Sequence, residues 1–181
     1  DVTANFGLYR SVITDLGADL DEVVIAGFSD LGNFAIKDRP YGVIKGIGIQ
    51  RLNGEKIVDP SGRYLPTVDP VELGDPNPKW TASLINGVSF KNFRLSFMFE
   101  YRHKGAIVSQ TITGVLARGL TTDTDVDRNT TFILPGVQSD GSRNNVQISA
   151  ANYFFDNYFF SDEAVTFDGS TIRLREISLS Y

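Results

Sequence analysis

The sequence contains no cysteine and only one histidine, His103, among its 181 residues. Without cysteine the chain can form no disulfide, thiolate nucleophile, or cysteine-ligated zinc or iron–sulfur site. The single histidine argues against a multi-histidine metal site and leaves one candidate for a serine–histidine–aspartate triad. No run of roughly 18 apolar residues is present, so the sequence predicts no transmembrane helix.

The charge is slightly acidic, with 17 Lys and Arg against 22 Asp and Glu and a net charge of −5. Non-specific nucleic-acid binding depends on clustered cations, so no nucleic-acid partner is predicted. Phenylalanine is abundant, with 13 Phe beside 7 Tyr, although hydrophobic residues make up only 41% of the chain. The placement of these aromatic side chains is the most informative question that the composition raises.

The two ends of the sequence carry different signals. The first ten residues lack the charged and then apolar pattern of a signal peptide. Residues 172–181 read as a strand that is followed by no turn or cap. We therefore expect this strand to pair with a strand outside the sequence.

The first 80 residues give mixed secondary-structure signals. Residues 8–25 allow an amphipathic helix, with a short strand over residues 23–28 as the alternative. Residues 41–52 read as a strand whose glycines thin one face, which is typical of a curved wall or a close backbone approach. Asn53-Gly54 predicts a hairpin turn, and four prolines predict a loop over residues 65–79.

The clearest pattern is a long hairpin. Apolar residues occupy alternate positions from Trp80 to Phe90, and again, with the parity switched, from Phe93 to Tyr101. A two-residue turn at Lys91-Asn92 requires this switch, and it places Phe90 opposite Phe93 on one apolar face. The opposite face is almost entirely polar.

The length of these strands indicates a membrane barrel. Each has about ten residues, roughly twice the usual length in soluble proteins and enough for a tilted strand to cross a bilayer. Long strands that are apolar on one face and are joined by a minimal turn are typical of outer-membrane barrels. Trp80 and Tyr101 at one end, and Phe90 and Phe93 at the other, are predicted to be membrane-interface aromatics.

The polar face of the hairpin carries the candidate lumen-facing residues. Arg94, Glu100 and Arg102 would line the channel or pair with a plug, and cross-strand charge pairing within the wall is the alternative. A long soluble hairpin that packs its Phe and Leu side chains into a sandwich core remains a second interpretation of the whole pattern.

The segment after the hairpin contains few regular patterns. Residues 105–117 carry no charge and read as strand or loop, and residues 121–145 read as a long loop. In a membrane barrel, long loops gather at one end and short turns at the other. The alternating carboxylates of Asp123, Asp125 and Asp127 resemble a calcium loop. Arg128 and Leu134 stand where an EF-hand needs Gly and Glu, so no metal site is predicted.

Aromatic residues concentrate between Tyr153 and Phe160. Aromatic faces stack on sugar rings and anchor interfaces, so Tyr153, Phe154, Tyr158 and Phe159 are candidates for substrate or partner contact. The alternative is that they end a strand within an aromatic girdle. No G-x-S-x-G elbow accompanies His103, so no catalytic residue is predicted.

Several ordered segments together resemble one transporter family. Leu73–Trp80 looks like an "L-G-N-P-N-P-x-W/F" segment, Lys91–Phe97 like a "Y-K-N-F-S-L-S-F" hairpin, and Ser170–Tyr181 like an "S-x-x-R-L-R-E-V-S-L-S-Y" strand. Arg39–Gly46 is similar to a "G-x-P-Y-G-x-I-x-G" strand, with a local departure at Arg39. These motifs resemble those of the SusC/RagA family of TonB-dependent outer-membrane transporters.

The resemblance implies an all-β fold of antiparallel transmembrane β-barrel strands with long extracellular loops. Residues 1–181 would be a late portion of a barrel of about 22 strands, supplying about six to eight of them. The plug and most of the other strands are absent from the sequence. An open sheet edge cannot face lipid, so the remaining barrel and plug segments are implied partners.

The resemblance also implies a transport function in the bacterial outer membrane of Bacteroidota. Members of the family import glycans or oligopeptides, together with a SusD-like surface lipoprotein that captures the substrate. Energy comes from the TonB complex acting through the plug, and no cofactor or covalent chemistry is involved. From the residues alone, a soluble secreted β-sandwich for binding or adhesion and a β-rich hydrolase domain remain alternatives.

Overall fold

The computed structural model describes residues 1–17 and 19–181, which form mainly antiparallel β structure. Strands account for 45% of the chain and helices for 13%, and the described residues form no closed barrel. The elements, in chain order, are β1 (Val2–Leu8), β2 (Glu22–Gly27), β3 (Gly32–Ile36), β4 (Val43–Gly46), β5 (Arg51–Leu52), β6 (Glu55–Lys56), β7 (Val71–Gly74), β8 (Trp80–Phe90), β9 (Phe93–His103), β10 (Ala106–Val108), α1 (Gln110–Ala117), β11 (Thr131–Ile133), β12 (Gln147–Ser149), α2 (Ala150–Phe159), β13 (Thr166–Asp168) and β14 (Thr171–Ser180).

One sheet contains the four long strands, in the order β1-β8-β9-β14, and every neighbouring pair is antiparallel. The predicted hairpin is confirmed, because Phe90 lies opposite Phe93 and the pairing continues to Trp80 opposite His103. The predicted strand near the end of the sequence is also confirmed, as β14. The number of long strands is four, fewer than predicted, because the long segments between them fold into smaller units of their own.

The connections between the long strands separate to opposite ends of the sheet. Residues 91–92 form the two-residue turn between β8 and β9, and we call that end of the sheet the turn end. The first connection, residues 9–79, and the second connection, residues 104–170, both leave from the opposite end, which we call the connection end. The sheet is therefore an up-and-down meander, and both long connections lie at its connection end.

The first connection contains a four-stranded sheet in the order β2-β3-β4-β7. The helix predicted over residues 8–25 is wrong for the described residues, since β2 occupies the second part of this range; Ala18 lies outside the described residues. The alternative, a strand over residues 23–28, agrees with β2.

The strand predicted over residues 41–52 is interrupted between β4 and β5, and the loop predicted over residues 65–79 contains β7. The hairpin turn at Asn53-Gly54 is confirmed between β5 and β6, with both residues at positive φ.

The second connection contains the two helices. Of the two interpretations of Tyr153–Phe160, the end of a strand is wrong, because α2 covers almost all of this segment. The Ser149 side chain caps the helix by accepting a hydrogen bond from the Asn152 backbone N–H at 3.3 Å. Buried Ala150 and Asn157 lie on the inner face of α2. No helix among the described residues is long and apolar enough to cross a membrane.

The main hydrophobic cluster joins the two connections. Val58 from the first connection packs against Leu134 and Ile148 from the second, and all three are almost completely buried. Tyr64, Phe132 and Tyr153 surround the cluster; they are the partly buried aromatics that pack against it. The core therefore lies outside the long sheet, between the segments at the connection end.

A second junction between the connections uses carboxylates and glycines. Asp162 Oδ2 accepts a hydrogen bond from the Ile47 backbone N–H at 2.8 Å, and Glu163 Oε2 accepts one from the Ile49 N–H at 3.0 Å. A Cβ on Gly46 would lie 2.9 Å from the Cβ of Asp162, which is closer than side-chain carbons approach each other. The spacing of glycines in this segment therefore permits a close backbone approach, which was one of the two roles predicted for it.

The electrostatics of this junction centre on Glu163. Burial raises the pKa of Glu163, but hydrogen bonds from the Arg51 guanidinium and the Ile49 N–H, with the charges of Arg51 and Lys56, outweigh burial and hold it below its usual value. Arg51 donates to both carboxylate oxygens of Glu163. The ionised carboxylate is therefore the form that the folded chain stabilises.

Gly46→Ala is expected to destabilise the packing of the two connections by about 1–3 kcal/mol, because the added methyl group overpacks the contact with Asp162. Gly87→Ala is the matched control, since a Cβ at Gly87 meets no atom closer than 4.0 Å. The midpoints of denaturant unfolding of both variants measure the difference. Equal midpoints for Gly46→Ala and the unaltered chain would contradict the role assigned to Gly46.

The lowered pKa of Glu163 predicts a specific acid sensitivity. Because the folded state lowers this pKa, the stabilisation is present above the unfolded-state pKa of about 4.3 and is lost as the pH falls through the folded-state value. Glu163→Gln should therefore lower the free energy of unfolding near neutral pH. Below about pH 4.5, the variant should lose less of its remaining stability than the unaltered chain does, because it has no Glu163 carboxylate to protonate. Denaturant midpoints between neutral and acidic pH measure this, with Glu55→Gln, at an exposed carboxylate in β6, as the control. A Glu163→Gln profile parallel to that of the control would contradict the assignment.

Candidate functional site

The long sheet has one apolar face that no other described part of the chain covers. Phe6 and Phe90 are each 69% exposed and Ile177 is 66% exposed, although large apolar side chains are normally buried. The face combines alternate residues of all four strands; its large apolar members are Val2, Phe6, Leu8, Trp80, Leu84, Val88, Phe90, Phe93, Leu95, Phe97, Phe99, Tyr101, Ile172, Leu174, Ile177, Leu179 and Tyr181. Asn86 and His103 are the polar members of the face.

The register of the strands keeps this face continuous. Leu84 lies opposite Phe99, and Phe99 lies opposite Leu174 on the next strand. The apolar positions of β14 change parity between Leu174 and Ile177, and the pairing with β9 shifts at the same place. Arg175 is the extra residue of this bulge, and a bulge of one residue returns Ile177 to the apolar face.

Aromatic rings gather at the connection end of the apolar face. Trp80 lies at ring-centroid distances of 5.7 Å from Phe6, 4.9 Å from Tyr101 and 5.0 Å from His103. We call these four residues the Trp80 cluster. The predicted pair Trp80 and Tyr101 is thus brought together. Phe6 was missed because its strand partner on β8 is distant in the sequence. His103 continues the alternation of Tyr101 on the same face but was not grouped with the aromatic residues.

A second aromatic group lies at the turn end of the same face. Phe90 and Phe93 lie opposite each other next to the turn, as predicted. The Phe93 ring lies 5.0 Å from that of Tyr181. Tyr181 was not predicted to belong to this group, because only the pairing of β14 with β9 brings it there.

The three predicted lumen-facing residues share the polar face but have different surroundings. Glu100 accepts a hydrogen bond from Arg175 at 2.7 Å across the strand pair. Arg102 is half-buried and donates from Nη2 to the Pro76 carbonyl oxygen at 2.7 Å, so it holds the first connection against the sheet. Arg94 is exposed near the turn end.

The four aromatic residues predicted to contact a substrate or partner lie on α2, but not in one environment. Tyr153 stacks on Phe132 with ring centroids 4.4 Å apart, in the core of the connections. Phe154 and Tyr158 are partly buried and stack on each other. Phe159 is exposed, so part of its ring is available to contact a substrate or partner.

The exposed aromatic surface of α2 includes two residues that sequence reasoning missed. Phe155 and Phe160 lie beside Phe159, at ring-centroid distances of 5.1 Å between Phe155 and Phe159 and 5.4 Å between Phe159 and Phe160. Residues four apart share a helix face, so the spacing of Phe155 and Phe159 would have shown this pair had the segment been read as a helix.

Tyr158 is the group in α2 whose ionisation is most strongly changed. Burial, followed by the neighbouring Tyr153 and the charge of Asp123, raises the pKa of Tyr158 to about 12. The phenol therefore remains protonated at physiological pH, and Tyr158 can donate a hydrogen bond but supplies no base.

The carboxylates considered for metal binding do not form a metal cluster in the part of the chain that the structure describes. Among the described residues, no three His, Cys, Asp or Glu side chains lie close enough together to hold a metal ion. His103 Nδ1 lies 3.3 Å from the Tyr101 hydroxyl within the Trp80 cluster.

The different environments on α2 predict different costs of truncation. Tyr153→Ala should destabilise the chain by about 2–4 kcal/mol, since it removes a ring from the core. Phe159→Ala should cost no more than about 1 kcal/mol, because half of the ring is exposed and its aromatic contacts are with the exposed Phe155 and Phe160. Denaturant unfolding of the two variants measures both. A large loss of stability in Phe159→Ala would contradict its assignment as a free contact surface.

No protein-family model matches the chain, and no curated protein gives a significant match. The function of the chain therefore has to be inferred from its own residues and their geometry.

Proposed function

We propose that this chain forms part of the wall and the extracellular loops of a SusC/RagA-type, TonB-dependent transporter in the bacterial outer membrane. One observation carries the proposal: a meander of long strands leaves one apolar face uncovered and turns a polar face the other way. Contiguous exposed apolar patches of more than a few hundred Å² are rare in soluble monomers. In a barrel wall, lipid covers the apolar face and the polar face lines the lumen.

The dimensions of the apolar face support a membrane setting. Trp80 and Phe90 are the ends of β8, so the two aromatic groups are separated by about 33 Å along the strand. With the tilt of about 40° usual in membrane barrels, this becomes about 25 Å across the bilayer, the height of the apolar band in such proteins. Aromatic residues are enriched at both membrane interfaces, which fits the two groups.

The topology supports a partial barrel. Strands of up-and-down barrels pair with their neighbours in sequence order, as β1, β8, β9 and β14 do. Within the described residues, no strand pairs with the outer edge of β1 or of β14. Since an open edge cannot face lipid, we infer that further barrel strands complete both edges, in a barrel of about 22 strands.

The separation of the connections supports an orientation. Membrane barrels have short periplasmic turns and long extracellular loops, so the turn at Lys91-Asn92 would lie on the periplasmic side. The two interlocked connections would then form a rigid extracellular platform, with Phe159 on its exposed surface. A SusD-like lipoprotein would dock at this side, and glycans or oligopeptides would pass beside polar-face residues such as Arg94. TonB would act through the plug, with no covalent chemistry.

The proposal predicts that association with membranes depends on the apolar face. Leu84→Arg should reduce the recovery of the refolded chain with phospholipid vesicles by at least tenfold, since an arginine at mid-membrane on the lipid face costs about 2–4 kcal/mol. Ser83→Arg is the matched control, because the adjacent residue points to the polar face. Flotation of vesicles through a density gradient measures the bound fraction.

Two results would contradict the proposal. The first is a chain that is folded and monodisperse in buffer without detergent and does not float with vesicles; this result would favour a soluble β-sandwich. The second is an equal loss of flotation in Leu84→Arg and Ser83→Arg, which would show that the two faces do not differ in their contact with lipid.

A further inference from the structure

A hollow of about 480 Å³ lies at the connection end of the sheet, just beyond the Trp80 cluster. Its wall includes Leu8 and Arg10 at the end of β1, Lys79 and Trp80 at the start of β8, and His103 at the end of β9. Three strands thus bring two cationic side chains and two aromatic rings to one place, although their positions in the sequence are far apart.

The two cations in this hollow have no carboxylate partner among the described residues. Arg10 and Lys79 are both exposed, and neither takes part in an ion pair within residues 1–17 and 19–181. Asp75 also lines the hollow, but its Oδ1 already accepts two hydrogen bonds from Asn77, at 2.9 and 2.8 Å. The hollow therefore carries two cations against one carboxylate, and this excess of positive charge is suited to an anion.

A second hollow, of about 430 Å³, lies on the apolar face on the membrane side of the same cluster. Phe6, Leu84, Phe99, Tyr101 and Ile172 are among its lining residues. Phe6 and Tyr101 of the Trp80 cluster border this apolar hollow, while Trp80 and His103 border the cationic one. The two hollows therefore border the same aromatic cluster, one of them lined by cations and the other mainly by apolar side chains.

We propose that these two hollows bind the two parts of a single lipid that carries an anionic phosphate headgroup. The phosphate would lie between Arg10 and Lys79, and an acyl chain would lie in the apolar hollow against Leu84 and Phe99. Arg and Lys side chains at the membrane interface attract anionic lipid headgroups, and the aromatic cluster sits at the depth where the two parts of a lipid meet. This inference rests on the proposed function, because it requires the apolar face to contact a bilayer.

Trp80 provides a direct probe of the site, since it is the only tryptophan in the chain. The refolded chain is placed in detergent micelles containing brominated phosphatidylglycerol or brominated phosphatidylcholine, whose bromine atoms quench nearby tryptophan fluorescence. We expect half-maximal quenching at about tenfold less of the anionic lipid, and expect the preference to weaken as salt screens the charges. Arg10→Gln combined with Lys79→Gln should reduce the ratio between the two lipids to near one.

Lys91→Gln is the matched control, because it removes an exposed cation at the turn end, at the far end of β8 from Trp80. This variant should retain the tenfold preference. If both lipids quench Trp80 equally in the unaltered chain, or if the double variant keeps the preference, the proposed lipid site is contradicted. Neither result contradicts the proposal that the sheet is part of a barrel wall. If neither lipid quenches Trp80, the proposed function itself fails.

Discussion

The pairing of β8 with β9 organises both the long sheet and the two connections. Eleven residues of each strand form one uninterrupted antiparallel ladder, joined by a turn of two residues. The outer strands β1 and β14 each pair with one side of this hairpin, and the two connections begin where it ends. Because side chains alternate along a strand, a single register in this ladder assigns every residue of the hairpin to the apolar or the polar face.

The second constraint is the locking together of the two connections at one end of the sheet. Each contains buried residues of its own, such as Phe34 and Val43 in the first connection and Val165 in the second. The burial of Val58 between Leu134 and Ile148, and the carboxylates of Asp162 and Glu163 on the backbone of the glycine-containing segment, make them one unit. The joined connections lie at one end of a sheet whose apolar face is uncovered among the described residues. The same sheet provides the apolar face, the polar face and the points where both connections begin.

Sequence reasoning was most accurate where local periodicity decides the structure. The alternation from Trp80 to Tyr101 and the two-residue turn were sufficient to predict the hairpin, its register and its two faces. It failed for the aromatic segment around Tyr153, where consecutive aromatic residues fit neither period clearly and a serine cap together with packing against Phe132 decides for a helix. The shared face of Phe155 and Phe159 was missed for that reason.

The long strands follow from local sequence, because side-chain alternation and turn chemistry act between residues that are close along the chain. Which distant residues come together depends on how the whole chain folds. The bulge at Arg175, which keeps β14 in phase with the apolar face, depends on pairing with β9. The placement of Arg10 and Lys79 around one hollow, and the contact of Gly46 with Asp162, depend on segments brought together across tens of residues. Such contacts leave no periodic signal, since their spacing is set by the path of the whole chain.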